Sequence, residues 1–100
     1  MKTTFREEGK EFVMEFEGRL DTAAAPQVEK ECDALSDCMG HDIVLDCTKM
    51  EYISSSGLRI FLGILKNAKP KGSRVFVKGL SSELQQVFTM TGFISLFEYK

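Results

Sequence analysis

The alternation of hydrophobic and polar residues predicts a pair of strands near the start of the chain. Apolar side chains recur at every second position within residues 10–17, which is typical of a strand with one buried face. Residues 3–7 form a second candidate strand, and Glu8-Gly9 between the two suits a hairpin turn. The alternating apolar residues are Phe12, Met14 and Phe16.

A helical period replaces this alternation after residues 18–26. Pro26 suits the first turn of a helix, because proline lacks the N–H that this position leaves unpaired. Apolar residues then recur at i, i+4, i+7 and i+11, which predicts one buried helix face, and Gly40 is expected to end the helix. These apolar residues are Val28, Cys32, Leu35 and Met39.

The second half of the chain alternates short apolar runs with helical patterns. Residues 42–47 and 73–79 predict buried strands, and residues 94–99 a short final one. Two helices are also expected. The first covers residues 56–68 and ends before Pro70. The second covers residues 80–92, with Ser81 or Ser82 as its N-cap and Gly92 at its end. The predicted core comprises Val28, Cys32, Leu35, Ile43, Val44, Leu45, Leu58, Phe61, Leu65, Val75 and Val77.

The element order ββαβαβα, with a final β, predicts an α/β fold. Strands that alternate with helices pair in parallel through crossovers, and the opening hairpin adds one antiparallel strand. We therefore expect a small mixed sheet of four to five strands, flanked by three to four helices. The length of 100 residues suits a single domain over residues 1–100.

Composition and charge restrict the class of function. The chain is 43% hydrophobic and 28% charged, with a net charge of -2 and a pI near 5.4. The absence of a basic excess argues against a nucleic-acid surface. No apolar run approaches the ~20 residues that span a bilayer, so no membrane insertion is expected. The polar first ten residues do not resemble a signal peptide, which predicts a cytoplasmic protein.

The cysteines and the only histidine predict structural roles rather than chemistry. Cys32, Cys38 and Cys47 contain no C-x-x-C pair, so we expect reduced thiols that fill the core as small apolar groups. His41 follows Met39-Gly40 and is interpreted as a solvated loop residue. Neither a metal site nor a cofactor site is predicted.

Three consecutive serines, Ser54 to Ser56, lie where the chain enters the apolar helix of residues 56–68. One of them is expected to cap the helix. Helical steps from Ser55 give an exposed ridge, which we define as Ser55, Arg59, Gly63 and Lys66. A glycine within an exposed helix costs ~1 kcal/mol relative to alanine. It either allows a partner to approach closely or relieves crowding within the chain, and both interpretations stay open.

The serines do not resemble an enzymatic site. A serine hydrolase needs a base oriented by a third group, and neither a G-x-S-x-G elbow nor a phosphate-binding G-x-x-x-x-G-K-[ST] loop is present. A serine at a helix N-terminus is instead a favourable position for a phosphate, since free amides and the helix dipole attract anions. The serine turn is therefore interpreted as a phosphorylation switch in a protein that is not an enzyme.

The sequence also resembles a known family. Residues 46–69, DCTKMEYISSSGLRIFLGILKNAK, are similar to the signature segment of the STAS domain of bacterial anti-sigma factor antagonists. Residues 18–26, GRLDTAAAP, resemble the second characteristic segment of this family, and residues 74–97 follow its pattern. The resemblance covers nearly the whole chain and implies the STAS fold.

The resemblance implies a partner-switching function in the regulation of sigma-factor-dependent transcription. The unphosphorylated domain would bind an ATP-dependent anti-sigma factor serine kinase, phosphorylation of Ser55 would weaken that complex, and a PP2C-like phosphatase would restore it. Asp21 and Asp46 match the acidic positions that flank the binding surface in the family. The expected partner-binding residues are Asp21, Ser54, Ser55, Ser56, Gly57, Arg59, Gly63 and Lys66.

One residue departs from the family pattern and leaves alternatives open. The family usually has Asp-Ser-Ser-Gly, and this chain has Ser54 in place of the aspartate. Without phosphorylation, the chain would be a constitutive STAS module that supports a transporter ATPase or another signalling complex. A nucleotide-binding or hydrolysing domain ranks last, because no phosphate loop is present.

Overall fold

The computed structural model describes all 100 residues, and its element order is the predicted one. Five strands and three α-helices are present, and 3₁₀ turns follow the first and second helices. The elements are β1 (Lys2–Glu8), β2 (Glu11–Leu20), α1 (Ala25–Glu31), β3 (Asp42–Ile53), α2 (Ser55–Ala68), β4 (Val75–Lys78), α3 (Ser82–Met90) and β5 (Glu98–Tyr99). None of the helices combines the length and the hydrophobicity that a membrane-spanning segment requires.

The hairpin turn between β1 and β2 consists of Gly9 and Lys10, one residue later than predicted. Gly9 has a φ of +60°, which glycine adopts without steric cost at the first central position of a two-residue turn. β1 is also longer than predicted, because its antiparallel pairing with β2 extends from Glu8 opposite Glu11 to Lys2 opposite Glu17. β2 continues past its predicted end at residue 17 because its last three residues pair with β3.

The first helix is shorter than the sequence pattern predicted. It ends at Glu31, and a 3₁₀ turn over Cys32–Leu35 follows it. The prediction that Met39 lies on a buried helix face is wrong, since Met39 is 69% exposed. Gly40 has a φ of +84° but lies in the turn before β3, not at a helix end. The buried side chains of the 3₁₀ turn, Cys32 and Leu35, are three residues apart, which suits the 3₁₀ geometry. Cys38 is buried in the segment that follows this 3₁₀ turn.

The sheet places its strands in sequence order, β1-β2-β3-β4-β5. β1 is antiparallel to β2, and the other neighbours are parallel. Each crossover moves the chain one strand further in the same direction, so crossovers of one hand place their helices on the same face. Accordingly, α1, α2 and α3 all contribute to one apolar core against that face.

This core contains ten of the eleven predicted core residues. Val44 is the exception: it is buried, but on the sheet face that carries no helix. The centre of the core is a cluster of four phenylalanine rings whose contacting pairs have centroids 5.2–6.4 Å apart. The rings belong to Phe16, Phe61, Phe88 and Phe97.

Charged side chains cover the sheet face that lacks helices. Val44 pairs with Val13 on one side and with Phe76 on the other. The Lys100 ammonium lies 4.9 Å from the Phe76 ring centroid, and the Arg74 guanidinium lies 5.5 Å from it. Long cationic side chains bury apolar surface with their aliphatic stems, so they complete the burial of these strands without a second helix layer.

His41 is more ordered than its interpretation as a solvated loop residue suggested. Its ring stacks on Phe12 with centroids 4.1 Å apart, and its Nε2 lies 2.9 Å from a carboxylate oxygen of Glu7. The loop before β3 therefore packs against β1 and β2, and the prediction of a solvated side chain is wrong.

The cysteine prediction is confirmed, since Cys32, Cys38 and Cys47 are free and buried. Burial raises the pKa of the Cys32 thiol to about 12, and the carboxylates of Glu31 and Asp33 add to this rise. Burial also raises the pKa of the Cys47 thiol. Cys32 and Cys47 thus stay protonated at neutral pH and act as small apolar groups.

Candidate functional site

The three serines of the turn between β3 and α2 have different surroundings. Ser54 is the N-cap of α2: its backbone is extended, and its Oγ accepts a hydrogen bond from the Gly57 amide at 3.2 Å. Ser54 is only 8% exposed, whereas Ser55 is exposed and Ser56 half-buried. Ser54 therefore caps the helix, and the adjacent Ser55 is the serine that is exposed to solvent.

The backbone joins this turn to the end of β2. The Ser54 amide donates a hydrogen bond to the Leu20 carbonyl at 2.8 Å. A Cβ on Gly57 would lie 2.7 Å from the Leu20 side chain and 2.8 Å from that of Ile53. Glycine at position 57 thus allows the first turn of α2 to pack directly against the ends of β2 and β3.

Asp21 lies beside the serine turn because it follows Leu20. Its carboxylate accepts a hydrogen bond from the Ala24 amide at 2.8 Å, and its carbonyl accepts one from the Ala25 amide at 3.1 Å. Asp21 therefore holds the start of α1 next to the start of α2. It is half-buried, so part of its carboxylate faces solvent at this surface.

The structure does not bring Asp46 to the same surface. Asp46 lies eight residues before Ser54 on β3, opposite Glu15 and Lys78 in the neighbouring strands. Burial alone would raise the pKa of Asp46, but two hydrogen bonds from Thr48 and the charge of Lys78 outweigh it and lower the pKa. The flanking role that the resemblance implied for Asp46 is a wrong prediction, because β3 extends six residues beyond the predicted end.

The predicted ridge on α2 is exposed along its whole length. Ser55, Arg59, Gly63 and Lys66 all face solvent. A Cβ on Gly63 would meet no atom within 4 Å, so internal crowding does not explain this glycine. Gly63 instead forms part of the wall of a groove of about 270 Å³ between α2 and the segment of α1 and its 3₁₀ turn.

The two walls of this groove carry opposite charges. Glu29 and Asp33 lie on the α1 side, and Arg59 lies on the α2 side. At the far end, Asn67 donates a hydrogen bond to the Ser36 carbonyl at 2.9 Å and joins the two walls. The groove and the ridge therefore form a continuous surface that begins at the serine turn.

The N-terminus of α2 attracts anions. The first turn of this 14-residue helix contains no acidic side chain, so nothing within the turn compensates the positive end of the helix dipole. The Gly57 amide is bonded to Ser54, while the amides of Ser55 and Ser56 have no partner within the helix. Negative charge placed on the Ser55 hydroxyl would thus lie next to free N–H groups.

One pair of side chains near this surface was not predicted from the sequence. The Arg19 guanidinium lies 4.4 Å from the centroid of the Tyr52 ring, which is 40% exposed. Both residues belong to the part of β2 and β3 that extends towards the serine turn. The available signal was an aromatic residue two positions before Ser54 and five positions after the predicted end of β3.

Sequence comparison identifies the family. A model of the STAS domain matches residues 2–100. The chain belongs to the STAS domain family. The anti-sigma-B factor antagonist of Listeria monocytogenes is 30% identical over 83 residues, which cover 83% of this chain and 73% of that protein.

Solved STAS structures have the same fold. An anti-sigma factor antagonist from Mycobacterium paratuberculosis matches with a TM-score of 0.80 at 22% identity, over 98% of this chain and 83% of that one. The Bacillus cell fate determinant SpoIIAA in its phosphorylated form matches with a TM-score of 0.74 at 17% identity, over 99% of this chain and 91% of that one. The predicted STAS fold is confirmed, and relatives of this chain are anti-sigma factor antagonists.

Proposed function

We propose that this STAS domain is an anti-sigma factor antagonist that binds an ATP-dependent anti-sigma factor serine kinase and is released when that kinase phosphorylates Ser55. A PP2C-like phosphatase would reverse the switch. The observation that carries this proposal is the different burial of the two adjacent serines. Ser54 is buried and caps α2, while Ser55 presents a free hydroxyl at the same helix N-terminus.

A phosphate on Ser55 is compatible with the folded domain. The group would carry about -1.5 to -2 charges at neutral pH and would meet unpaired amides at the positive end of α2. The cap on Gly57 would stay intact, because it involves Ser54 and not Ser55. Phosphorylation should therefore change the surface and leave the fold in place.

The effect on the partner is larger than the effect on the domain. A contact made to a neutral hydroxyl would meet a dianion, and mismatched buried charges at interfaces commonly cost ~2–5 kcal/mol. Such a cost corresponds to a loss of affinity by a factor of tens to thousands. The exposed ridge and Asp21 extend the proposed contact surface on either side of Ser55.

The decisive experiment is incubation with the cognate kinase and ATP, followed by intact mass measurement and phosphopeptide mapping. We expect one phosphate, on Ser55. Ser55→Ala should abolish phosphorylation and keep binding, and Ser55→Asp should fold but bind poorly. If the missing family carboxylate matters, Ser54→Asp should speed phosphorylation.

Ser81 and Ser82 provide a matched control. Ser81 caps α3 through the Leu84 amide, and Ser82 is exposed at the next position, so the pair repeats the local geometry of Ser54 and Ser55. Ser82→Ala should leave phosphorylation unchanged, because the kinase would recognise the surface around α2. Phosphate on Ser54, Ser56 or Ser82 would contradict the assignment. No phosphate at all would favour a constitutive STAS module.

The role of the ridge is tested through Gly63. Gly63→Leu should weaken kinase binding tenfold or more, about 1.4 kcal/mol, because a side chain would keep the partner from the helix backbone. Gln86→Leu, at an exposed position on α3, is the control for added apolar surface. Unchanged affinity of the Gly63 variant would remove the ridge from the proposed interface.

A further inference from the structure

The structure leaves one long strand edge without a partner. β1 pairs with β2 on one side only, and its other side has no neighbour along seven residues. The opposite edge of the sheet, β5, has only two residues. The unpaired N–H and C=O groups of an edge strand are a template for pairing with another strand.

We propose that β1 pairs antiparallel with β1 of a second copy of this chain, with the two-fold axis at Phe5. The two five-stranded sheets would then form one continuous sheet. In this register Phe5 lies opposite Phe5 of the second copy. Lys2 of each copy lies opposite Glu8 of the other, at the two ends of the paired strands. The strand is therefore complementary to itself in charge and in apolar character.

Symmetry and charge select this register over its neighbours. A two-fold axis perpendicular to the sheet places the helices of both copies on the same side of the joint sheet. Residues that lie opposite each other must then point to the same face of the sheet. This condition is met only when the axis lies between a residue and the same residue of the second copy. An axis at Thr4 would place Lys2 opposite Arg6. An axis at Arg6 would place Phe5 opposite Glu7 and the Arg6 side chains opposite each other. Like charges directly opposite are destabilising.

The side chains at the edge support the same arrangement. Phe5 packs edge-on against Phe12 with ring centroids 5.3 Å apart, yet it is 40% exposed. The Lys2 ammonium makes no ion pair within the chain, since the salt bridges involve other cations. Pairing of the two edges would bury the exposed part of both Phe5 rings and bring each Lys2 to a carboxylate.

The contact is small, because it involves two strands of seven residues each. Interfaces below about 1,200 Å² of buried surface belong to weak or transient complexes. We therefore expect a dimer that dissociates on dilution. It would leave the serine turn accessible, since that turn follows β3, two strands away from β1.

Charge exchange at the two ends of the strand tests the register. Lys2→Glu places two carboxylates opposite each other, and Glu8→Lys places two ammonium groups opposite each other, so either change should raise the dimer dissociation constant at least about tenfold. In an equimolar mixture of the two variants, a heterodimer restores both opposite-charge pairs. The double variant Lys2→Glu/Glu8→Lys should likewise form dimers as the natural sequence does.

Sedimentation equilibrium from about 10 µM to about 1 mM measures these changes. Lys69→Glu, at an exposed position in the 3₁₀ turn after α2, is the charge control and should not alter the association. A monomer throughout the range for the natural sequence overturns the proposal, as does a dimer that Lys2→Glu leaves unchanged. Association that is lost in both single variants but not recovered in their mixture overturns the register.

Discussion

The hydroxyls of Ser54 and Ser55 are one residue apart but face different environments. The first lies in the interior and caps α2, and the second projects into solvent at the same helix end. A single serine could not perform both tasks, because a capping oxygen directed at the helix amides is shielded from an enzyme. The usual family aspartate at this position is also a good N-cap, so Ser54 can replace it structurally without its charge.

We predict that Ser54→Ala lowers the free energy of unfolding by ~1 kcal/mol through loss of the cap. Ser55→Ala should change it by less than ~0.5 kcal/mol, because the Ser55 side chain is exposed and caps nothing. Ser54→Asp should retain most of the capping energy. Urea denaturation of the three variants measures the difference. Equal losses for Ser54→Ala and Ser55→Ala would contradict the assigned cap.

The two glycines of α2 should respond in opposite directions to alanine. Gly57→Ala places a Cβ 2.7 Å from the Leu20 side chain, so we expect a loss of about 1–3 kcal/mol from overpacking. Gly63→Ala meets no neighbour and gains helix propensity, so it should stabilise the protein by up to ~1 kcal/mol. The thermal midpoint of Gly57→Ala should be lower than that of the natural protein, and the midpoint of Gly63→Ala should be higher. A destabilising Gly63→Ala would show that this position is not open.

At the level of elements, the strand order determines which surfaces are available. Because β2 to β5 follow one another in space as they do in sequence, all three helices lie on one face. The serine turn then lies where β2 and β3 extend past the shorter β4, which ends opposite Asp46. The start of α2 therefore lies beyond the end of β4, and Ser55 is exposed there.

We predict that Phe61→Ala costs about 3–5 kcal/mol, because Phe61 is fully buried and its ring contacts three others. This loss is a large fraction of the stability of a small domain. Met90→Ala on α3 is the control, since Met90 is 86% exposed and should change stability by less than ~0.5 kcal/mol. Chemical denaturation compares the two. A small effect of Phe61→Ala would show that α2 does not hold the core together.

At the level of the whole molecule, the buried thiols link stability to pH. Folding raises the pKa of Cys32 from its ordinary value near 9 to about 12, chiefly through burial. Between these values the unfolded chain has lost this proton and the folded chain keeps it. The contribution of the Cys32 thiol to the free energy of unfolding is therefore fully present below about pH 9. It falls as the pH rises towards 12, by up to ~1.4 kcal/mol per pH unit.

We predict that the free energy of unfolding decreases between pH 9 and pH 10.5 more steeply in the natural protein than in Cys32→Ala. Other groups that titrate in this range, such as Tyr99, contribute equally to both proteins, so the difference in slope isolates Cys32. Urea denaturation under reducing conditions provides the measurement. Parallel slopes would show that the Cys32 thiol ionises as easily in the folded state as in the unfolded one.

Local patterns in the sequence were sufficient for the element order, the serine turn and most of the core. The alternation in β2, the helical period of α2 and the cap and stop residues act over a few neighbouring positions, so they can be read without the fold. The exposed ridge followed from the same period, since helical steps from Ser55 are independent of what packs on the opposite face. The STAS family was evident from residues 46–69 together with residues 18–26.

Only the tertiary structure decided the features that depend on distant contacts. β3 continues to Ile53 because β2 is there to pair with it, and this extension separates Asp46 from the serine turn. After α1 and its 3₁₀ turn the chain buries Cys38, whose carbonyl accepts a hydrogen bond from the Ser73 hydroxyl, 35 residues away. Val44 is buried by side chains of neighbouring strands and not by a helix. Pairing partners and burial are properties of the folded chain, and no local pattern specifies them.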